Sequence, residues 1–133
     1  MTSVRRTMLV FLTMTVGWAQ ADIKTGRYLN GRAWNTMSDD SRVSYAIGFN
    51  DALMAARIMT MAEEPKCTPI IERQIPEGFN LTELADAVTL FYNDPTNVRI
   101  PIHNAFRLTF KKMQGIPSEE YERIVAAMRR ATR

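Results

Sequence analysis

The chain has few of the side chains that carry out catalysis. Its 133 residues include one cysteine, Cys67, and one histidine, His103, and the two fall in different predicted elements. The sequence lacks a glycine-rich phosphate loop, a Gly-x-Ser-x-Gly turn and a His-Glu-x-x-His helix. Two of its three carboxylate pairs, Asp39-Asp40 and Glu119-Glu120 but not Glu63-Glu64, fall in predicted first turns of helices, where negative charge offsets the helix dipole. We therefore expect a protein that is not an enzyme and that holds no cofactor.

A single cysteine also excludes a disulfide within the chain, although it leaves a bond to a second protein open. Thioether, thiol and imidazole groups are soft ligands of the kind that Cu(I) prefers. Met54, Met59 and Met61, with Cys67 and His103, are the residues that such a site would use. We expect no metal, because Met54 and Met59 fall at helical positions where methionine commonly fills a core.

No apolar run in the sequence is long enough to span a bilayer, which takes roughly 20 residues. The run from Met8 to Val16 follows two arginines, Arg5 and Arg6, and precedes the small-x-small triplet Ala19-Gln20-Ala21. This order is typical of a bacterial signal peptide. We predict a signal peptide over residues 1–21, cleaved after Ala21, and one helical domain over residues 22–133. A retained anchor is the alternative, and twin-arginine export is a second route.

Little net charge remains after this cleavage. The formal net charge of the whole chain is +3, and removal of Arg5 and Arg6 leaves +1. A nearly neutral domain has no electrostatic footprint for nucleic acid or for an acidic membrane surface. We therefore predict a periplasmic or secreted protein whose partner is another protein, with no nucleic acid and no membrane anchor after cleavage.

Helical periodicity runs through most of the predicted mature chain. The first long helix begins after the cap Ser38 and continues to about Met61, with Phe49 and Leu53 beside its predicted inner face. That inner face consists of Val43, Ala46, Ile47, Met54 and Ile58. Gly48 lies among alanines, which predicts close approach of another helix and predicts that Gly48→Leu unfolds the domain.

Capping signals mark three further helices. Asn80 caps the second helix and Glu83 completes a capping box. Pro101 begins the third helix, which Gly115 ends, and Ser118 caps the fourth. Residues 22–37 are expected to form an irregular arm or a short helical turn that places Trp34 on the core. These patterns predict an all-α fold, a small bundle of about four helices.

The longest stretch without helical periodicity, residues 63–78, contains three prolines and is predicted to be a loop. Long loops in small domains are often functional, so this segment is the first candidate for contact with a partner. The residues that we expect to bind a partner there are Lys66, Cys67, Arg73 and Glu77. The end of the second helix, Tyr92, Asn93 and Asp94, is the second candidate.

The order of several motifs resembles a known family. The chain carries Trp34-Asn-Thr-Met-Ser38, Tyr45-Ala-Ile-Gly-Phe-Asn-Asp-Ala52, Ile75-Pro-Glu-Gly-Phe-Asn-Leu-Thr-Glu-Leu84, Phe91-Tyr-Asn-Asp-Pro95 and Ile100-Pro-Ile102. Together they resemble the small periplasmic immunity proteins of the Tai kind, which protect bacteria from peptidoglycan-cleaving amidases injected by type VI secretion. The resemblance implies a helical scaffold that occludes a secreted amidase. Members of that family commonly carry cysteine pairs, whereas this chain has Cys67 alone.

Two other classes of function stay open from the residues. One is a housekeeping envelope adaptor that associates with itself, as a homodimer, or with another envelope protein. The other is a carrier that holds a small ligand or a soft metal between its helices.

Overall fold

The computed structural model describes residues 23–63 and 80–133, and within them the protein is a small all-α bundle with one short hairpin. This confirms the predicted fold class. In chain order the elements are β1 Lys24–Thr25, β2 Tyr28–Leu29, α1 Gly31–Thr36, α2 Asp39–Glu63, α3 Leu81–Tyr92, a 3-10 turn Pro95–Asn97, α4 Ile102–Met113 and α5 Ser118–Ala131.

Most helix ends follow the predicted capping residues. The Asn80 side chain accepts a hydrogen bond from the Thr82 amide at 2.8 Å, and the Ser38 hydroxyl accepts one from the Ser41 amide at 3.3 Å. Gly115 follows α4 with a φ of +76°, the left-handed conformation that favours glycine. The prediction for α5 is wrong by one residue, because Pro117 occupies the cap position and no side chain caps this helix.

The core is built around Trp34, as the sequence predicts. Its side chain is fully buried, and its indole N–H donates a hydrogen bond to the Thr89 hydroxyl at 3.0 Å. Phe106 and Tyr45 meet the indole edge-on, with ring centroids 5.7 Å and 6.0 Å away. One side chain from the short helix α1 therefore joins α2, α3 and α4.

Tyr92 is a second buried anchor, and it depends on a glycine. Its hydroxyl donates a hydrogen bond to the backbone carbonyl of Ile100 at 2.8 Å, which satisfies the polar end of a buried ring. The ring lies so close to Gly31 that a β-carbon there would overlap it. Glycine at position 31 is thus what lets α1 approach α3.

The N-terminal segment contains a hairpin that the sequence did not indicate. Strands β1 and β2 pair antiparallel, and Gly26 in their turn has a φ of +62°. The Thr25 hydroxyl donates a hydrogen bond to the Arg99 carbonyl at 2.5 Å, and the Gly31 amide donates one to the Val98 carbonyl at 2.9 Å. These bonds attach the start of the described chain to the loop that precedes α4.

Helix α2 packs through a different face from the one predicted. Ala46 is its only residue that is fully buried, and Phe49 and Leu53 are half-buried against the core. The predicted inner residues Ile47, Met54 and Ile58 are exposed instead. Ala46 is buried and Val43 is half-buried, so the prediction holds for these two residues and fails for the other three.

The predicted close packing at Gly48 is also wrong. A β-carbon built at this glycine has no heavy atom within 4 Å, apart from its own helix backbone and chain neighbours. We therefore withdraw the expectation that Gly48→Leu unfolds the domain. Within residues 23–63 and 80–133, no helix combines the length and the apolar character that a membrane span requires.

Candidate protein-binding surface

The exposed side of α2 carries most of the large exposed hydrophobic side chains in the described part of the chain. Two of its side chains, Ile58 and Met59, are 66% and 61% exposed. Apolar side chains scattered singly on a surface are ordinary, but a continuous group of them commonly marks a binding site. The exposed large hydrophobic residues of this helix are Ile47, Met54, Ile58, Met59 and Met61.

These side chains lie together because of the helical repeat. Successive residues turn by about 100°, so positions seven apart, such as Ile47 and Met54, lie almost one above the other. By the same repeat, Asp51 and Ile58 lie beside that row. Gly48 and Ala55 lie next to them, about 100° from the first row. We define the outer face of α2 as Ile47, Gly48, Asp51, Met54, Ala55, Ile58 and Met59.

One acidic residue, Asp51, lies in the middle of this outer face. Residues three and four positions away are its neighbours on the helix surface, and they are Ile47, Gly48, Met54 and Ala55. Asp51 is exposed, and it makes no ion pair or side-chain hydrogen bond across residues 23–63 and 80–133. The outer face is therefore an apolar surface with a single negative charge near its centre.

The two basic residues of α2 lie on the other side of the helix. Arg42 donates a hydrogen bond to the Trp34 carbonyl at 3.2 Å, and its guanidinium lies 6.0 Å from the centre of the indole ring. Arg57 follows Asp51 by six residues, which places it about 120° around the helix axis. It is half-buried and already has an interaction within the chain.

The first predicted partner site lies outside the described residues. Lys66, Cys67, Arg73 and Glu77 all fall between positions 64 and 79. Their role in binding stays a prediction. This segment of sequence follows directly on the C-terminal end of α2, which carries the outer face.

The second predicted partner site has mostly structural contacts. Tyr92 is 2% exposed, so its side chain is not at the surface where a partner would meet it, and we correct the expectation for this residue. Asn93 is exposed. Asp94 accepts hydrogen bonds from the Thr96 amide at 2.8 Å and from the Thr96 hydroxyl at 2.6 Å, and it pairs with Arg129 at 2.6 Å.

These contacts explain the acidity of Asp94. The hydrogen bonds from Thr96 are the main reason that the pKa of its carboxyl is lowered, and the charge of Arg129 lowers it further. Arg129 also donates a hydrogen bond to the Asn97 side chain at 2.8 Å. The network ties the turn after α3 to the last turn of α5.

A groove between α3, α4 and α5 lies beside this network. Its apolar end encloses about 350 Å³ and is walled by Leu90, Phe91 and Met113, among others. A more polar continuation of about 260 Å³ reaches Arg129. Lys112 lines both parts of the groove, and its ammonium lies 5.3 Å from the centre of the Tyr121 ring. Burial, and then the charge of Glu122, raise the pKa of Tyr121.

The residues considered for a soft metal have other surroundings. Met54, Met59 and Met61 are exposed on α2, so Met54 and Met59 do not fill the core as the sequence suggested. The His103 ring meets Tyr28 edge-on with centroids 4.5 Å apart. Across residues 23–63 and 80–133, no group of three histidine, cysteine or acidic side chains is placed to hold a metal ion.

Comparison with protein-family models, with curated proteins and with solved structures gave no match. The resemblance to immunity proteins of the Tai kind therefore rests on the sequence motifs alone.

Sequence reasoning missed the outer face of α2, although one signal for it was present. Asp51 interrupts the stripe of Ile47, Met54 and Ile58 that was assigned to the core. A buried, unpaired carboxylate is strongly disfavoured, so its position in the stripe indicates a face that points to solvent.

Proposed function

We propose that this protein is an exported helical binding protein that docks on another protein through the outer face of α2. The observation that carries the proposal is the group of exposed apolar side chains on that face, led by Ile58 and Met59. Burial of such side chains stabilises a complex by roughly 25 cal/mol per Å² of apolar surface removed from water, before the cost of association is counted.

The manner in which α2 is held suits an inhibitor that acts by occlusion. The first half of the helix is fixed to the core, where Tyr45 and Phe49 stack against Phe106. The second half presents Ile58 and Met59 to solvent. A surface that is already ordered loses little conformational entropy on binding, which favours tight association.

The partner that we propose is a secreted peptidoglycan amidase, so that the protein acts as an immunity protein. The support for this partner is the resemblance of the motifs around Trp34, Tyr45 and Phe91 to immunity proteins of the Tai kind. In this mechanism the outer face of α2 covers the substrate cleft of the amidase. The complex needs no chemistry from the immunity protein itself.

A pull-down with matched variants tests the proposal. The full chain carrying a C-terminal tag is expressed in its own strain, purified after export, and incubated with periplasmic extract of its own and competing strains. We expect wild-type protein to capture a peptidoglycan amidase and Ile58→Asp to lose it. Leu90→Asp is the control, because Leu90 is 69% exposed but lies on α3, outside the outer face.

Two outcomes contradict the proposal. If no secreted amidase is captured, the immunity function is wrong and an envelope adaptor is favoured. If an amidase is captured equally well by Ile58→Asp, the immunity function stands but the outer face of α2 is not the binding surface.

The groove at Leu90 and Met113 favours a second candidate, a carrier of small ligands. A cavity of about 350 Å³ with mostly apolar walls lies within the size range of small-molecule sites. Native mass spectrometry of the protein purified from its own strain tests this. A small molecule retained by wild-type protein and lost from Met113→Lys supports a carrier, whereas bare protein in both samples rejects it.

A further inference from the structure

We infer that the partner segment bound by the outer face of α2 is an amphipathic helix that places one basic side chain against Asp51. This inference shares one premise with the proposed function, namely that the outer face of α2 binds another protein. It adds the chemistry of the partner, and it does not depend on whether that partner is an amidase.

The need for a basic side chain follows from the surroundings of Asp51. Its neighbours on the helix surface are Ile47, Gly48, Met54 and Ala55, so any partner that covers these residues also removes water from the carboxylate. A carboxylate that loses water without gaining a partner is strongly destabilising. Because the described residues offer Asp51 no ion pair or hydrogen bond, the partner must bring the donor.

A second copy of this chain is disfavoured on the outer face for the same reason. The face contains Asp51 and no basic residue, and the basic residues of α2, Arg42 and Arg57, lie around the helix from it. Antiparallel pairing of two outer faces would cover both carboxylates with apolar side chains. Arg57 already has an interaction within its own chain.

The shape of the outer face fits a helix. By the helical repeat, Gly48 and Ala55 form a row of small residues along α2, and a β-carbon at Gly48 would have open space around it. Larger side chains lie on either side of this row, with Asp51 and Ile58 on one side and Met59 on the other. Rows of side chains on one helix pack into the spaces between such rows on another.

A phage-displayed library of random 20-residue peptides, selected on the full chain purified after export, tests the inference. We expect the enriched peptides to have apolar residues at helical spacing and a lysine or arginine among them. Synthetic versions of these peptides should bind Asp51→Asn about tenfold more weakly than wild type, because a charged hydrogen bond is lost. Asp86→Asn is the control, since Asp86 is an exposed carboxylate on α3.

Each other result has a defined meaning. Enriched peptides that bind Asp51→Asn as tightly as wild type, or that lack a basic residue, overturn this inference alone. Peptides that bind Ile58→Asp as tightly as wild type, or a selection that enriches nothing, show that the outer face does not bind helices. A dimer seen by light scattering, and abolished by Ile58→Asp, replaces the proposed partner with a second copy.

Discussion

At the scale of single residues, two glycines occupy opposite environments. Gly31 lies against the ring of Tyr92, where a β-carbon has no room. Gly48 lies on the outer face of α2, where a β-carbon meets nothing within 4 Å. The first glycine is required by packing, whereas the second only weakens a helix, since glycine has the greatest freedom to lose on folding.

We predict that the same substitution at these two positions has opposite effects. Gly31→Ala should lower the free energy of unfolding by about 1–3 kcal/mol, because the Tyr92 ring is buried and must shift. Gly48→Ala should raise it by about 0.5–1 kcal/mol, because alanine favours the helix. Urea denaturation followed by circular dichroism measures both. A loss of stability at Gly48, or none at Gly31, would contradict the packing described above.

His103 gives the fold a sensitivity to acid. Partial burial of its ring, and then the charge of Arg107, lower the pKa of His103 below its ordinary value of 6.5. The folded protein therefore binds this proton less readily than the unfolded chain does. The resulting stabilisation is complete above pH 6.5 and is lost as the pH falls towards the lowered pKa.

We predict that His103→Phe removes this part of the pH dependence. Phenylalanine keeps an aromatic ring against Tyr28 but cannot take up a proton. Unfolding free energies measured in urea at pH 7.5 and pH 5.5 should fall less with acid in the variant than in wild type. The assignment to His103 fails if the two proteins lose the same stability.

At the scale of elements, the end of α3 is joined to the end of α5 by a small polar network. Asp94 caps the 3-10 turn through Thr96 and pairs with Arg129, which also contacts Asn97. The side chains of Asp94 and Arg129 are partly exposed, so their ion pair is weakened by solvent. The capping bonds to Thr96 are therefore the larger contribution.

We predict that Asp94→Ala lowers the free energy of unfolding by about 1 kcal/mol at pH 7, which is typical for loss of a cap. The pKa of Asp94 lies below its ordinary value of 3.8, so its stabilisation is present above that pH and is lost in stronger acid. The difference between wild type and Asp94→Ala should accordingly shrink in urea titrations below pH 3.8.

The sequence predicted some elements better than others for physical reasons. Helix α3 has one apolar stripe, so Leu84, Val88 and Phe91 have a single way to pack, and all three are buried. Helix α2 has apolar residues on both sides. Periodicity alone does not decide whether Phe49 or Ile58 faces the core, because that depends on which side the other helices cover.

At the scale of the whole molecule, the capping residues and the helical repeat were enough to predict an all-α bundle. The hairpin of β1 and β2 was missed because strands of two residues are too short to show a periodic pattern. The candidate site was harder to predict. Its exposure depends on tertiary packing of α2, whereas the sequence drew attention to a proline-containing loop and to the buried residue Tyr92.

Export is a prediction about the whole chain, and residues 1–21 lie outside the described part. We expect protein expressed in a Gram-negative host to appear in the periplasmic fraction with Asp22 as its first residue, as read by mass spectrometry. Ala19→Trp should retain the leader, because the peptidase accepts small residues there. Gln20→Asn is the control and should be cleaved normally. Cytoplasmic, uncleaved wild-type protein would refute the signal peptide.

The buried position of Trp34 has a consequence for the order in which the chain folds. Its hydrogen-bond partner Thr89 lies 55 residues further along the chain, and its ring partner Phe106 lies beyond that. During synthesis the first helices therefore emerge before the side chains that complete their core. Contacts between residues distant in sequence slow folding, because the connecting chain must be ordered first. A nascent chain that ends before α4 should consequently remain unfolded, and the domain should assemble in one step once α4 is available.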